Sequence, residues 1–342
     1  MNAVVVLLAL GAVVASAVLT GVVRRLALRA DLLDRPNERS SHTVPTPRGG
    51  GLAIVLATLA GLVIAWLAGE VPGDLVLGLA APGLAVAAIG FADDRRPVPA
   101  RLRFGVHVAA AGVALAVIGG LPPFDINGLR VAGLAGGVIA LICCVWFLNL
   151  FNFMDGIDGI AGAEAAFVSF TSAGLLAVAG AGTAFTAPWL LLGAASLGFL
   201  AWNWAPAKIF MGDAGSGFTG FVIALLLVHS MQVPAFPPWT ALILTAPFVS
   251  DATLTLLRRG LRGERWYSAH RSHAYQWLAR RWRSHARVTL LVIALDLAVV
   301  LPAAIVSMRR PDRAAALAAL VLALFLVAAG LAGAGRPERT AA

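Results

Sequence analysis

Along most of this chain, apolar residues run on without the polar interruptions that would give a helix a solvent face. Eleven stretches, at 3–23, 50–69, 74–92, 104–120, 131–150, 160–180, 185–204, 216–231, 237–257, 288–308 and 313–334, hold almost only aliphatic, aromatic and small residues. A helix crosses the roughly 30 Å hydrocarbon core of a bilayer in about 20 such residues. Segments that are apolar on every side predict helices buried in lipid and against one another. The pattern therefore predicts an all-α, polytopic transmembrane bundle of about eleven spans, with ten as the other count it allows, in a single domain over 1–342. The connections at 70–73, 121–130 and 232–236 are short and carry Pro or Gly, as tight turns do. No small-residue cleavage site follows the first stretch, which is long enough to span and is expected to stay as an anchor.

Composition agrees: 60% of the 342 residues are hydrophobic and 13% charged, against about 25% charged in soluble domains. The net charge of +9 would suit a nucleic-acid partner, but its distribution gives it another meaning. With the first span running outside to inside, the inner segments are 24–49, 93–103, 151–159, 205–215, 258–287 and 335–342. They carry 22 of the 26 Lys and Arg, leaving Arg130, Arg309, Arg310 and Arg313 outside. Under the positive-inside rule this predicts an outer N-terminus, an inner C-terminus and cytoplasmic loops, with no nucleic acid needed to explain the charge. Cys143 and Cys144 are adjacent in an apolar run, with neither disulfide nor zinc spacing, and are expected to face lipid or core.

Chemistry is thus confined to the inner loops. Asp93 and Asp94 close the third span ahead of Arg95, Arg96, Arg101 and Arg103. Adjacent carboxylates repel, so the pair calls for the arginines, a metal, or both. In the run Asn149, Asn152, Asp155, Asp158, polar groups recur every three residues, one helical turn apart on adjoining faces. No Lys or Arg lies among them, and uncompensated acids at a membrane boundary point to function. Gly156 and Gly159 loosen the helix there and would let a ligand approach the backbone. Phe210-Met-Gly-Asp213-Ala-Gly-Ser216 is a Gly-rich turn into the eighth span, whose backbone N–H groups would suit phosphate. The loop at 258–287 holds nine arginines and the run His270-Arg271-Ser272-His273, apt for phosphate. The N-terminal loop from Asp34 through His42 and Arg48 to Gly51 has the prolines and glycines of a defined loop. Glu164, Asp251, Asp296, His107 and His229 lie within spans and read as bundle-facing or interfacial. Asp251 is within reach of an arginine of the following loop, and His285 reads as part of the basic interfacial face. Several oxygen ligands without a Cys/His set favour Mg²⁺ or Mn²⁺ over zinc. A metal with arginines at a membrane surface suits phosphoryl transfer between a soluble diphosphate and a lipid phosphate.

These motifs, in this order over residues about 31–280, resemble the polyprenyl-phosphate N-acetylhexosamine-1-phosphate transferases. That superfamily, glycosyltransferase family 4, includes the phospho-N-acetylmuramoyl-pentapeptide translocase. The resemblance implies transfer of an N-acetyl-amino-sugar 1-phosphate from a UDP-sugar to undecaprenyl phosphate, releasing UMP, on the cytoplasmic face of the bacterial inner membrane. It implies Asp213 as Mg²⁺ ligand with Asn152 as a second, and Asp93 as base or acceptor-orienting acid with Asp94 beside it. Asp155 and Asp158 complete the catalytic acids. Gly156, Ile157, Asp158 and Phe210 match the family's uridine pocket. Arg103, standing where the family usually has Lys, Asn149, Arg48, His270, Arg271 and His273 would contact substrate. A homodimer is common in the family. The pentapeptide translocase has a His-rich triplet in place of His-Arg-Ser-His and a Lys in the N-terminal loop where Val44 or Arg48 stands, which argues against its donor. The two loops are more similar to the enzymes that begin O-antigen synthesis with N-acetylfucosamine or N-acetylquinovosamine, with UDP-N-acetylglucosamine as the alternative donor. A transporter or flippase would place polar residues near the midplane within an inverted repeat, and neither is evident. A CDP-alcohol phosphotransferase would gather its acids in one motif rather than three loops.

Overall fold

The computed structural model describes residues 2–36, 44–126, 129–264 and 270–337. In chain order its helices are α1 (Ala3–Arg29), α2 (Leu52–Leu67), α3 (Gly73–Arg95), α4 (Ala100–Val117), α5 (Gly133–Met154), α6 (Ile160–Val178) and α7 (Thr183–Asn203). There follow α8 (Gly212–Ser230), α9 (Pro238–Leu244), α10 (Ala246–Leu261), α11 (Ala274–Trp282), α12 (His285–Leu295), α13 (Leu301–Arg309) and α14 (Pro311–Ala332). Each of the eleven apolar stretches is helical, and the chain is an all-α, multi-pass membrane protein. Among the described residues nine helical segments are long and apolar enough to cross a membrane, and the bent pair α9–α10 makes ten. Helix α2, the remaining apolar stretch, has 16 residues, about 24 Å at 1.5 Å per residue.

The ninth stretch departs from the uninterrupted span that its apolar pattern predicts. It breaks at Thr245, and α10 leaves α9 at 75°. Pro247, in the first turn of α10, cannot donate to the carbonyl four residues back, which is where a helix kinks. The tenth stretch holds a π-turn, Asp296–Val300, between α12 and α13, just ahead of Pro302. Two short hairpins, β1 (Leu33–Asp34) with β2 (Thr46–Pro47) and β3 (Phe124–Ile126) with β4 (Leu129–Val131), lie in connections that the pattern leaves as turns.

Helix α8 is the axis of the bundle. Every residue from Ala214 to Ser230 is buried, as a helix apolar on all sides requires. Lipid tails are as apolar as these side chains, so packing in a membrane depends on close approach of small residues. At Gly220 a Cβ would come within 2.7 Å of the Phe151 side chain of α5. Gly51 at the start of α2 and Gly215 of α8 meet backbone to backbone, and a Cβ on either would overlap the other. Of the adjacent cysteines, Cys143 is exposed on the outside of the bundle and Cys144 is buried. Glu164 and Asp296 are both buried in the bundle interior.

The loops sort to two ends. At one, Asn2 bonds Glu70, the Glu70 carbonyl accepts from Thr183 at 2.9 Å, and Gln232 donates to the Ile118 carbonyl at 2.7 Å. At the other, Arg24 donates to the Lys208 carbonyl at 3.1 Å, and all the motif-bearing segments converge.

Candidate active site

The convergence is built on the start of α8. Gly212 has φ +77, the left-handed region that glycine tolerates, and turns the chain into the helix. Asp94, at the end of α3, caps that helix from outside: its two carboxylate oxygens accept from the Asp213 amide at 2.9 Å and the Ala214 amide at 3.2 Å. Gly90, one turn earlier on α3, permits this approach, since a Cβ there would strike the Asp213 carbonyl. The Gly-rich turn thus differs from the phosphate cradle that its sequence suggests. Asp94 already takes two of its amides, and its glycines serve helix packing.

With its backbone held, Asp213 projects a carboxylate that remains 36% exposed. Arg103 of α4 bridges it, at 3.3 Å, to Asp93, with which the guanidinium is in direct contact. The second Asp93 oxygen accepts from the Val98 amide at 2.6 Å. From α5, Asn152 donates to Asp213 at 3.1 Å and to Ser216 at 2.8 Å. Arg48 joins from the N-terminal loop, 3.2 Å from Asp34 and 4.0 Å from Asp94. That loop is pinned to the α8 turn: the Gly50 and Gly51 amides donate to the Phe210 and Met211 carbonyls, both at 2.9 Å. Burial, together with the carboxylates of Asp213, Asp94 and Asp158, pushes Asp155 well above the usual carboxylate range.

A metal can be weighed against this donor set. Among the described residues no three His, Cys, Asp or Glu side chains converge on one point. Mg²⁺ rarely uses such a cage: it takes one or two carboxylates and completes its shell with water and substrate phosphate. Asp213, part-exposed and beside the Asn152 amide, with acidic neighbours whose charge asks for a cation, fits that mode of binding.

Asp158 and Phe210 line an adjoining cavity of about 670 Å³. The Asp158 carboxylate is held at 3.0 Å by the Ala207 amide and at 3.2 Å by His285 Nδ1. His285 therefore sits in this cavity wall rather than on a general interfacial face. The third group is the His-Arg-Ser-His run. His270 and His273 stack at 4.8 Å between ring centroids, with Phe153 at 6.0 Å from His270 and Tyr275 at 5.6 Å from His273. His273 is buried, while His270 and Arg271 are half-buried. Desolvation first, then the neighbouring His273 and the Arg259 guanidinium, pull His270 down to about 3.

Some expected contacts go elsewhere. Asn149 turns back onto its own helix, donating to the Val145 carbonyl at 2.7 Å, and Ile157 is buried beneath the surface. Gly156 is demanded by Tyr275, whose hydroxyl fills the place of a Cβ and donates to the Phe153 carbonyl at 2.9 Å; that glycine serves protein packing rather than ligand approach. Among the described residues Asp251 pairs with no arginine of the next loop. Its oxygens accept from the Ala274 and Tyr275 amides at 2.9 and 3.1 Å and lie 3.4 Å from His273, so it caps α11 and anchors the histidine run. Only its standing as an acid inside a span could have drawn attention to it. Stretches 37–43, with His42, and 265–269 lie outside the described residues.

Known proteins resemble this chain over most of its length. The model for glycosyl transferase family 4 matches residues 76–231. The chain is 30% identical over 304 residues to the decaprenyl-phosphate N-acetylglucosaminephosphotransferase of Mycobacterium tuberculosis, covering 80% of this chain and 75% of the relative. It is 31% identical over 296 residues to the undecaprenyl-phosphate alpha-N-acetylglucosaminyl 1-phosphate transferase of Yersinia pestis, covering 81% and 77%. The chain belongs to glycosyl transferase family 4. Within this family it falls in the polyprenyl-phosphate hexosamine-1-phosphate transferase superfamily, as the sequence motifs imply. The family match runs from α3 to the end of α8 and so takes in the Asp93, Asn152, Asp158 and Asp213 segments. In this family member the His-Arg-Ser-His run and the N-terminal loop reach the same site from outside the matched stretch.

Proposed function

We propose that this family member transfers an N-acetyl-amino-sugar 1-phosphate from a UDP-sugar to undecaprenyl phosphate, giving undecaprenyl-diphospho-sugar and UMP. The observation that carries the reading is the meeting of Asp93, Arg103, Asn152 and Asp213 from four helices at one end of a membrane bundle. In the reaction an oxygen of the lipid phosphate forms a bond to the β-phosphorus of the donor. The bond from that phosphorus to the bridging oxygen breaks, and UMP leaves with the bridging oxygen. Asp93 orients the acceptor phosphate, and Arg103, shared between Asp93 and Asp213, offsets the charge of the approaching phosphates. Asp213 and Asn152 would hold Mg²⁺ or Mn²⁺, which when bound neutralises charge between the two phosphates. The cavity beside Phe210 takes the nucleoside, against Asp158. Half-buried His270 and Arg271 face the diphosphate or sugar. The site lies on the cytoplasmic face of the bacterial inner membrane, on the side of the basic loops.

For the sugar, the histidine run and the N-terminal loop favour a 6-deoxy donor, UDP-N-acetylfucosamine or UDP-N-acetylquinovosamine. The names of the relatives favour UDP-N-acetylglucosamine as the second reading. A panel of 6-deoxy and 6-hydroxy UDP-N-acetylhexosamines, offered to the purified protein with undecaprenyl phosphate and Mg²⁺, separates them by UMP release. Asp213→Asn and Asp93→Asn are expected to abolish release with every donor. Release that survives in Asp213→Asn would remove that residue from the chemistry.

A further inference from the structure

The last helix, α14, lies outside the stretch that the family model matches, yet its end reaches the histidine run. The helix closes on Gly333 in the left-handed region at φ 110, with the Ala334 amide returning to the Ala329 carbonyl at 2.9 Å. Gly335, left-handed again at φ 69, then turns its amide onto the Ser272 carbonyl at 2.7 Å. Arg258 of α10 donates to the Ala334 carbonyl at 2.7 Å, and Arg262, just past that helix, donates to the Gly335 carbonyl at 2.6 Å. Cations on the last carbonyls of a helix are a favourable closure. The turn is buried from Gly333 to Gly335. A Cβ at Gly333 would come within 3.2 Å of the Trp277 ring of α11, and one at Gly335 within 2.8 Å of Arg258 Cβ. Ser272, 1% exposed, joins this turn to the chemistry. Its hydroxyl lies 3.1 Å from His270 Nδ1, and Arg259 donates to the same hydroxyl at 3.4 Å. The run is thus held at two points, by Asp251 at the start of α11 and by the C-terminal turn at Ser272.

We propose that the turn at 333–336 is a positioning element of the active site, with Gly335 and Ser272 setting His270 and Arg271 against the UDP-sugar. The inference rests on the UDP-sugar reading above. Gly335, Ser272 and Arg258 act through the two residues that precede Ser272 and need not touch substrate themselves. Binding groups work only when the elements behind them fix their place, and a small displacement that begins far from the chemistry is felt at the bound substrate. The hairpin of α13 and α14 is then part of the frame of the site as well as two further passes of the membrane. The phosphate-transfer cluster of Asp93, Arg103, Asn152 and Asp213 is held by other helices. Loss of the turn should therefore fall on the donor and spare the lipid acceptor.

The test uses the full-length protein in detergent with Mg²⁺, undecaprenyl phosphate and the UDP-N-acetylhexosamine of the panel that gives the fastest UMP release. KM is read separately for donor and lipid, with the thermal midpoint alongside. Gly335→Ala adds a Cβ where both φ and Arg258 oppose one. It is expected to raise KM for the UDP-sugar by about tenfold, the equivalent of 1.4 kcal/mol, with KM for the lipid unchanged. Arg258→Ala should move donor KM the same way, and Arg258→Lys, which keeps a donor for the Ala334 carbonyl, should recover most of it. That pair decides the matter if Gly335→Ala fails to fold. Phe325→Ala loosens buried packing of α14 away from the turn and should lower the thermal midpoint while both KM values stay at wild type. Equal rises in the two KM values of Gly335→Ala or Arg258→Ala would overturn the proposal, as would a rise in donor KM in Phe325→Ala as large as theirs. If the wild-type protein releases no UMP from any donor, the parent reading fails. If it does and the turn variants keep its donor KM, only the role of the turn fails.

Discussion

Asp94 places both carboxylate oxygens on the first amides of α8 and so fixes the residue that presents Asp213. An amide side chain there would turn an N–H toward a backbone N–H, leaving a buried donor unpaired. A hydrogen bond to a charged group is worth about 1.5–3 kcal/mol, so Asp94→Asn should lower the thermal midpoint. It should also slow UMP release by roughly tenfold or more, at about 1.4 kcal/mol per decade. Both are read on purified protein in detergent, and an unchanged melting curve would mean the cap is not needed. His270 gives a second expectation. Its pKa is pulled down from 6.5 to about 3 in the fold, so between those values the unfolded chain binds a proton that the folded one refuses. This costs nothing above pH 6.5 and grows as pH falls toward 3. The melting midpoint of wild type should therefore fall more steeply from pH 7 to pH 5 than that of His270→Asn. Asp93 and Asp213 were legible in the sequence because acids are scarce in so apolar a chain. Asp251 and His285 were not, since what they do depends on partners that only the tertiary fold brings near.

Among the elements, the start of α8 carries the tightest constraints. Gly51 and Gly215 touch backbone to backbone, so Gly215→Ala should destabilise the bundle and disturb the Asp213 turn. Gly11 of α1, with nothing within 4 Å of a Cβ, is the control. Gly11→Ala should be neutral or stabilise by about 0.5–1 kcal/mol, the helix preference of Ala over Gly. Thermal midpoints of the two variants check the contrast, and equal shifts would refute it. The helices themselves were legible from apolar runs alone. The break at Thr245 was not, because residues on both sides of it are equally apolar and Pro247 alone marks it. Likewise the glycines of the α8 turn read as a phosphate cradle, because sequence shows the free amides of a helix start but not the distant carboxylate that caps them.

At the scale of the whole molecule, charge and chemistry share one end of the bundle. The inner loops together carry 22 of the 26 Lys and Arg, and the same set of loops supplies Asp93, Asn152, Asp158, Asp213 and His270, although the 151–159 segment itself has no cation. This asymmetry was countable in the sequence without any structure. The division of that end into a phosphate-transfer cluster, a nucleotide cavity and a stacked histidine run was not, because loops distant in sequence compose each part. Sugar-phosphate transfer and glycosyl transfer differ in which donor bond breaks. A UDP-sugar labelled with ³²P at the β-phosphate, incubated with the protein, Mg²⁺ and undecaprenyl phosphate and then partitioned between organic and aqueous phases, reads that bond directly. Sugar-phosphate transfer leaves the label in the lipid phase and unlabelled UMP in water; label that stays in the aqueous phase as UDP while the sugar enters the lipid would make the protein a glycosyl transferase of the other kind and rule this reaction out.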